Sequence, residues 1–382
     1  MRDPSDELDD LEAQGLRRHL REVTSPQRTH VELGSGSDCL NFSSNDYLGL
    51  ANSPDLKERF REHISRYGVG SGASRLVCGT LSPHLILEER IAALKRAEAA
   101  LTFGSGFATA TGVLPALCGK DDFLILDKLC HACLIDGAKL SGATMRVFPH
   151  NDVAKLRDHL KWARDKASPK TRVIVVTESV FSMDGDHAPL EDIVAAKNEF
   201  GALLLLDEAH AFGVLGPQGH GLAAEKELES SIDLQMGTFS KAVGLSGGYV
   251  CGSRDFIDLL VNRARSFIYS TAPGPALSAT VADALELISG EEGDRLRDLL
   301  WKNIRSFSEN AVSAIIPKII GENEAALQAS RSLLDSKFLV PAIRYPTVPR
   351  GTARLRITVS AEHEESDIEA LKNALAAVST DC

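Results

Sequence analysis

A lysine set among glycines and hydroxyls, and an aspartate that closes an apolar run, are the residues of this chain best suited to chemistry. Lys241 lies in GTFSKAVGLSGG (237–248) and Asp207 opens DEAH (207–210). The unbroken apolar run 203–206 reads as a fully buried strand, so Asp207 falls at a strand's carboxyl end, where open α/β sheets build their sites. A lysine amine condenses with an aldehyde once it is neutral, and burial or nearby cations lower its pKa from about 10.4. A carboxylate holds a pyridinium nitrogen, and glycines let a bound phosphate approach the backbone. Pyridoxal 5'-phosphate (PLP) needs these three parts together. Alone, a strand-end aspartate often just caps a helix, and a lone lysine is usually a surface charge. The pairing carries the argument.

Other segments supply partners for such a group. His210 ends DEAH and precedes the close-packed loop GVLGPQGHG (213–221), where it could donate to a ring oxygen. DEAH also occurs in nucleotide-driven helicases, but no GxxxxGK[ST] loop exists here, and that alternative falls. FGSGFATATG (103–112) places glycines and hydroxyls before an apolar helical segment, whose first amides can cradle a phosphate. It does not fit GxGxxG, so a dinucleotide fold is not indicated. CHAC (130–133) lacks the further ligands of a zinc site, and no metal is expected; His131 offers a flat ring for stacking. ESVFSMDGD (178–186) follows another apolar run and offers Ser182 as a hydrogen-bond partner for the cofactor's phenolic oxygen. PTVPRGTARLRI (346–357) brings Arg354 and Arg356 to one strand face, where a guanidinium could take a carboxylate.

The elements that position these residues follow from the pattern. Runs at 123–126, 173–177 and 203–206 read as buried strands, and 84–100, 152–167 and 190–200 as helices. Their alternation implies a mostly parallel α/β sheet. A charged stretch with leucines at 8, 11, 16 and 20 reads as an amphipathic helix over 6–24. After a helical stretch at 277–310, a smaller α+β lobe holds a strand at 315–320, a helix near 323–335, a strand at 354–359 and a helix at 364–378. This gives an N-terminal helical segment (1–42), a large domain (43–280) and a small domain (281–382).

With 382 residues and a net charge of −11, the chain has room for two lobes but no global basic field for nucleic acid. No apolar stretch approaches a membrane span, the acidic amino terminus lacks a signal-peptide core, and seven scattered cysteines do not make a disulfide framework. A reducing cytoplasm is the expected location.

Taken together, the chain resembles the α-oxoamine synthases. SSNDYLGL (43–50), SGF (105–107), HACLIDG (131–137), ESVFSMDGD, DEAH, GTFSKAVGLSGG, FIYSTAP (267–273) and PTVPRGTARLR occur in that family's order, over about residues 10–375. The resemblance implies a fold-type I PLP-dependent transferase, aspartate aminotransferase-like, that condenses an amino acid with an acyl-CoA. FPHNDVAKL (148–156) and FLVPAIRYPTVP (338–349) are similar to the biotin-synthesis branch, which uses L-alanine with pimeloyl-CoA or a pimeloyl-carrier protein. A sibling using glycine with acetyl-CoA is the nearest alternative, and a catalytically silent PLP-fold binding protein is the alternative from another class.

By the same resemblance, Lys241 binds the cofactor and then moves the α-proton of the amino acid. Asp207 holds the ring nitrogen, His131 stacks on the ring, and His210 and Ser182 bond its phenolic oxygen. Gly106, Phe107 and Thr238 hold the phosphate, with Ser270 and Thr271 reaching into the partner's site across a homodimer. Asn45, Arg356 and Arg21 orient the substrate carboxylate. Lys337 stands at a turn where glycine is usual, which strains the backbone if its φ is positive.

Overall fold

The computed structural model describes residues 3–34 and 36–378. Their contacts form two compact units, one of Leu50–Ser182 with Asp186–Asp298, the other of the described residues of 1–49 and 299–382 with Met183–Gly185.

The first unit is built on a seven-stranded sheet in the order Ala99–Phe103, Gly248–Gly252, Leu234–Thr238, Leu203–Asp207, Val173–Glu178, Phe123–Asp127 and Thr144–Phe148. Gly248–Gly252 runs antiparallel to both neighbours and every other pair is parallel. This is the mostly parallel sheet expected from the alternating strands and helices. Leu124, Leu126, Ile174, Val176, Leu205 and Leu234 are all sealed from solvent in one core cluster. Continuous rather than alternating burial is what a parallel sheet covered on both faces requires, and each such side chain contributes about 1.5–3 kcal/mol.

The three strands expected from apolar runs are present, each extended to Asp127, Glu178 or Asp207. The helices at 152–167 and 190–200 are found at Val153–Lys166 and Leu190–Phe200. The helix expected over 84–100 ends at Leu94, because Ala99–Phe103 leaves it to become an edge strand. Helix Gly106–Leu117 crosses helix Ala132–Ser141 at Gly137, where a Cβ would stand 2.6 Å from the Ala110 carbonyl oxygen. The glycine that ends HACLIDG is thus a packing requirement.

In the second unit, Ile315–Gly321, Ala353–Thr358 and Ala342–Ile343 make an antiparallel sheet with Ala353–Thr358 in the middle. Helices Asn323–Asp335 and Glu365–Val378 complete the small lobe at the expected places. The amino terminus differs from the expectation of an amphipathic helix over 6–24. Its helix spans only Pro4–Ala13 and buries none of its residues. A turn with Gly15 at φ +62° ends it, and Arg344 ties down that turn by donating to the carbonyls of Gly15 and Arg17. The chain then forms the hairpin His30–Leu33 and Ser37–Asn41, to which Phe338–Leu339 adds in parallel. Backbone pairing therefore groups residues before 50 with those after 298, rather than dividing the chain at 42 and 280.

Lys337 has φ +70°, just past the end of helix Asn323–Asp335. A left-handed residue with a Cβ costs about 1 kcal/mol. Lys337→Gly is expected to raise the unfolding free energy by about 1 kcal/mol, read as a higher denaturant midpoint at an unchanged m-value; a lower midpoint would contradict it. Among the described residues, no helix is long and apolar enough to cross a membrane.

Candidate active site

Four neighbouring parallel strands end in Thr238, Asp207, Glu178 and Asp127, in that spatial order. Register sets Glu178 directly opposite Asp207. The loops leaving these ends carry Lys241, His210, Ser182 and His131 respectively. One geometric rule, function at the carboxyl ends of parallel strands, therefore gathers residues spread over a long stretch of sequence.

The acids form the floor. Asp207 is buried, and its Oδ1 accepts the Ala209 N–H at 2.9 Å. Burial pushes its carboxyl above the ordinary range, while the Lys241 charge opposes that rise. Glu178 is pushed up to about 8, first by burial and then by the Asp207 charge, again with Lys241 opposing. Lys241 also acts on His131, whose imidazole is held below its usual range mainly by desolvation. One ammonium thus influences two carboxyls and an imidazole at the strand ends. Buried acid in excess of its cations makes this a place where a protonated ring nitrogen fits.

His131 caps helix Ala132–Ser141, its Nδ1 accepting the Cys133 N–H at 3.2 Å, and its own N–H donates to Glu178 Oε1 at 2.5 Å. Burial holds the Cys130 and Cys133 thiols above their ordinary pKa. They pack as neutral groups: Cys130 donates to the Val176 carbonyl and Cys133 lies 3.0 Å from His131 Nδ1.

The phosphate-cradle residues also meet. Ser105 caps helix Gly106–Leu117 by accepting the Ala108 N–H at 3.0 Å. The amides of Gly106 and Phe107 open that helix, where no intrahelical acceptor exists. A Cβ on Gly106 would lie 3.3 Å from the Thr238 Cβ, so glycine here lets the helix start approach Thr238. The Thr238 hydroxyl donates to the Gly247 carbonyl at 2.7 Å and accepts from Ser240 N–H at 3.2 Å. Ser240 Oγ lies 2.8 Å from it, so this threonine also ties together the loop that carries Lys241. Amides, a small helix start and a hydroxylated turn suit a phosphate; with the acid floor, the residues present fit PLP.

Ser182 and His210 are buried in the turns just beyond Glu178 and Asp207. Phe107, Ser270 and Thr271 are exposed. In the other unit, Arg356 donates to Asn45 Oδ1 at 3.0 Å, and Tyr47 Oη donates to the same oxygen at 3.2 Å. Burial pushes the Tyr47 phenol up to about 12, with Arg356 pulling the other way. Arg354 shares the strand but donates to Asp184 Oδ1 at 2.6 Å and to the Met183 carbonyl at 3.2 Å. Two arginines that look equivalent in sequence are thus separated into a pair with Asn45 and a clamp on a turn. Arg21 is exposed in the segment before the hairpin.

Sequence reasoning passes over Glu178, Asp127 and Tyr47. The first two carry the signal used for Asp207, an acid closing an apolar run. Glu208, the residue after Asp207, serves the core instead. Fully buried, it pairs with the fully buried Lys95 and accepts the Ala223 N–H at 3.0 Å. Lys95 also donates to the His220 carbonyl at 2.5 Å.

Comparison with known proteins agrees with this geometry. Residues 37–375 match the family described as aminotransferase class I and II. An 8-amino-7-oxononanoate synthase of Geobacter sulfurreducens is 46% identical, covering 97% of this chain and 96% of that protein. Its counterpart in Anaeromyxobacter sp. is 47% identical, with 97% and 94% covered. Among solved structures, a serine palmitoyltransferase variant from S. paucimobilis with PLP and myriocin bound superposes with a TM-score of 0.91 at 28% identity, covering 99% of this chain and 96% of that one. The chain belongs to the aminotransferase class I and II family, among its α-oxoamine synthases.

Proposed function

We propose that this chain is a PLP-dependent C-acyltransferase that condenses L-alanine with a pimeloyl thioester, releasing carbon dioxide, the free thiol of CoA or of the carrier protein, and 8-amino-7-oxononanoate, a step of biotin synthesis. The observation that carries the chemistry is the strand order and register, which set Glu178 opposite Asp207 and bring the loops of Lys241 and His131 to the strand ends on either side. The choice of substrates is supported by relatives that are 8-amino-7-oxononanoate synthases over nearly their whole length.

Bound PLP supplies an electron sink for the bond broken at the substrate's α-carbon. Lys241 Nζ anchors the cofactor and then takes and returns the α-proton. Asp207 keeps the ring nitrogen positive, and buried surroundings strengthen that interaction. The amides of Gly106 and Phe107, with Thr238, hold the phosphate. His131 would stack on the ring, and His210 and Ser182 would bond its phenolic oxygen. Asn45 and Arg356 take the alanine carboxylate, with Arg21 assisting; a bidentate guanidinium fixes both its charge and its plane. The acyl thioester is that of CoA or of a carrier protein.

A homodimer completes this reading. Val69 and Val77 are 80% and 78% exposed and Tyr269 71% exposed, and the 69–77 loop runs beside 272–274 through the Ala272 N–H to Ala73 and the Ser71 hydroxyl to Pro273. Apolar exposure next to Ser270 and Thr271 supports an interface that brings those hydroxyls to a partner.

One assay matrix tests the function. Alanine with pimeloyl-CoA or pimeloyl-carrier protein is expected to exceed glycine with acetyl-CoA by at least about tenfold in kcat/KM. The reverse order would assign the chain to the glycine-using sibling. No turnover with a bound cofactor would make it a silent binding protein.

A further inference from the structure

The motif FPHND has no part in the chemistry above, yet its residues sit against the strand ends. His150 Nδ1 lies 3.0 Å from Asp127 Oδ1, and its Nε2 lies 2.8 Å from Asp186 Oδ2. A carboxylate only accepts, so a ring bonded to two carboxylates donates from both nitrogens and is an imidazolium. Asn151, at φ +56°, turns the chain so that its N–H donates to Asp127 Oδ2 at 2.8 Å. Its side-chain amide donates to Asp186 Oδ2 at 3.2 Å and to the His187 carbonyl at 3.1 Å. Asp152 then caps the next helix through the Lys155 N–H. Each letter of HND has a separate physical role.

The two aspartates belong to the loops that carry site residues. Asp127 ends its strand and accepts the Leu129 N–H at 2.7 Å, setting the turn into His131. The Asp186 carbonyl accepts the Phe181 N–H at 3.0 Å, closing the turn that contains Ser182. Phe181 meets the His150 ring edge-on at 4.3 Å. One cation therefore fixes the turn leading to the ring-stacking histidine and the turn carrying the hydroxyl assigned to the phenolic oxygen.

We propose that His150 is a positioning residue for cofactor binding, an imidazolium clamp that holds the His131 and Ser182 loops through Asp127 and Asp186. The inference rests on the PLP-site assignment above. It also explains why a histidine serves here: a neutral amide donates to two acceptors only from a single nitrogen, whereas the imidazolium donates in opposite directions with charge. The hydrogen bonds and charges of the two aspartates outweigh desolvation and lift the His150 pKa to about 10. Among the described residues these aspartates are the charged groups that face the ring; Asn151 and Phe181 are neutral. A raised folded-state pKa contributes stability in full below the unfolded value of about 6.5. That contribution is lost as pH rises through about 10.

The test compares wild type, His150→Gln and Asp186→Asn, the last altering only a partly exposed turn carboxylate. Titrating each apoprotein with PLP, His150→Gln is expected to weaken binding about tenfold or more, and Asp186→Asn by a smaller factor. In a cycle with Ser182→Ala, the combined loss should be smaller than the product of the single losses. Nitrogen-15 histidine spectra of wild type should show both His150 ring nitrogens protonated up to about pH 9. Unchanged PLP affinity in both variants, strictly multiplicative losses, or a singly protonated ring at neutral pH would each overturn the clamp. Absence of pimeloyl turnover alongside normal cofactor binding would instead count against the proposed reaction.

Discussion

Replacing Lys241 by alanine should remove the visible absorbance of lysine-linked cofactor and lower turnover by about 10⁴-fold or more. Two functions fall together, the covalent anchor and the proton carrier, so the loss exceeds that of removing a single hydrogen bond. A second variant separates charge from nucleophilicity. Lys241→Arg keeps a cation beside Asp207 and Glu178, but a guanidinium stays protonated and offers no neutral amine. It should hold the acid floor near its native protonation and still be inactive. Alanine at this position removes the charge that holds Asp207 and Glu178 down, so both carboxyls should titrate higher. Turnover above about 1% of wild type in either variant would remove Lys241 from the mechanism, since that exceeds what a missing general base allows.

Asp207→Asn should produce a different signature: a less active enzyme whose apoprotein is no less stable. The amide retains an oxygen for the Ala209 N–H but carries no charge to hold a ring nitrogen positive. Losing a preorganised electrostatic contact of this kind costs about 10²–10³-fold in kcat. Stability should move in the opposite sense. Burial raises the Asp207 carboxyl above its ordinary pKa, so at pH values above its unfolded pKa the folded apoprotein bears a cost that grows until the folded pKa is reached. The amide avoids that cost. Paired measurements of kcat and of apoprotein Tm near neutral pH check both halves, and a variant that loses stability as well as activity would show that Asp207 is needed for folding rather than chemistry.

These expectations concern residues that stand out in the sequence because each closes or follows a long apolar run. The strands ending in Asp127, Glu178 and Asp207 advertise themselves by unbroken apolar runs, each with three consecutive buried aliphatics, and the small lobe by its alternating elements. Strands 234–238 and 248–252 do not, because LQMGT and GYVCG mix glycine with polar residues and read as loops. They become strands through neighbours already in place on either side. The edge strand 99–103 merges with the preceding helix in sequence because AALTF continues an alanine-rich pattern. The amino-terminal hairpin is illegible for another reason: its partner is Phe338–Leu339, about three hundred residues away, and two residues of pairing leave no local pattern. His150 gives no signal of its own because its meaning lies in two aspartates whose positions only the sheet defines.

DEAH contains two neighbouring acids under unrelated constraints. Asp207 is the acid assigned to the cofactor's ring nitrogen in the proposed function, while Glu208 is locked against Lys95 where neither side chain meets solvent. Removing one partner of such a pair strands a charge in the interior at about 3–5 kcal/mol. A descendant that had abandoned catalysis could therefore let Asp207 drift freely but would have to keep Glu208 and Lys95, or exchange both at once. Which of the two adjacent acids survives in a distant homologue thus works as a fossil record, telling a working enzyme from a retired one before any assay is run.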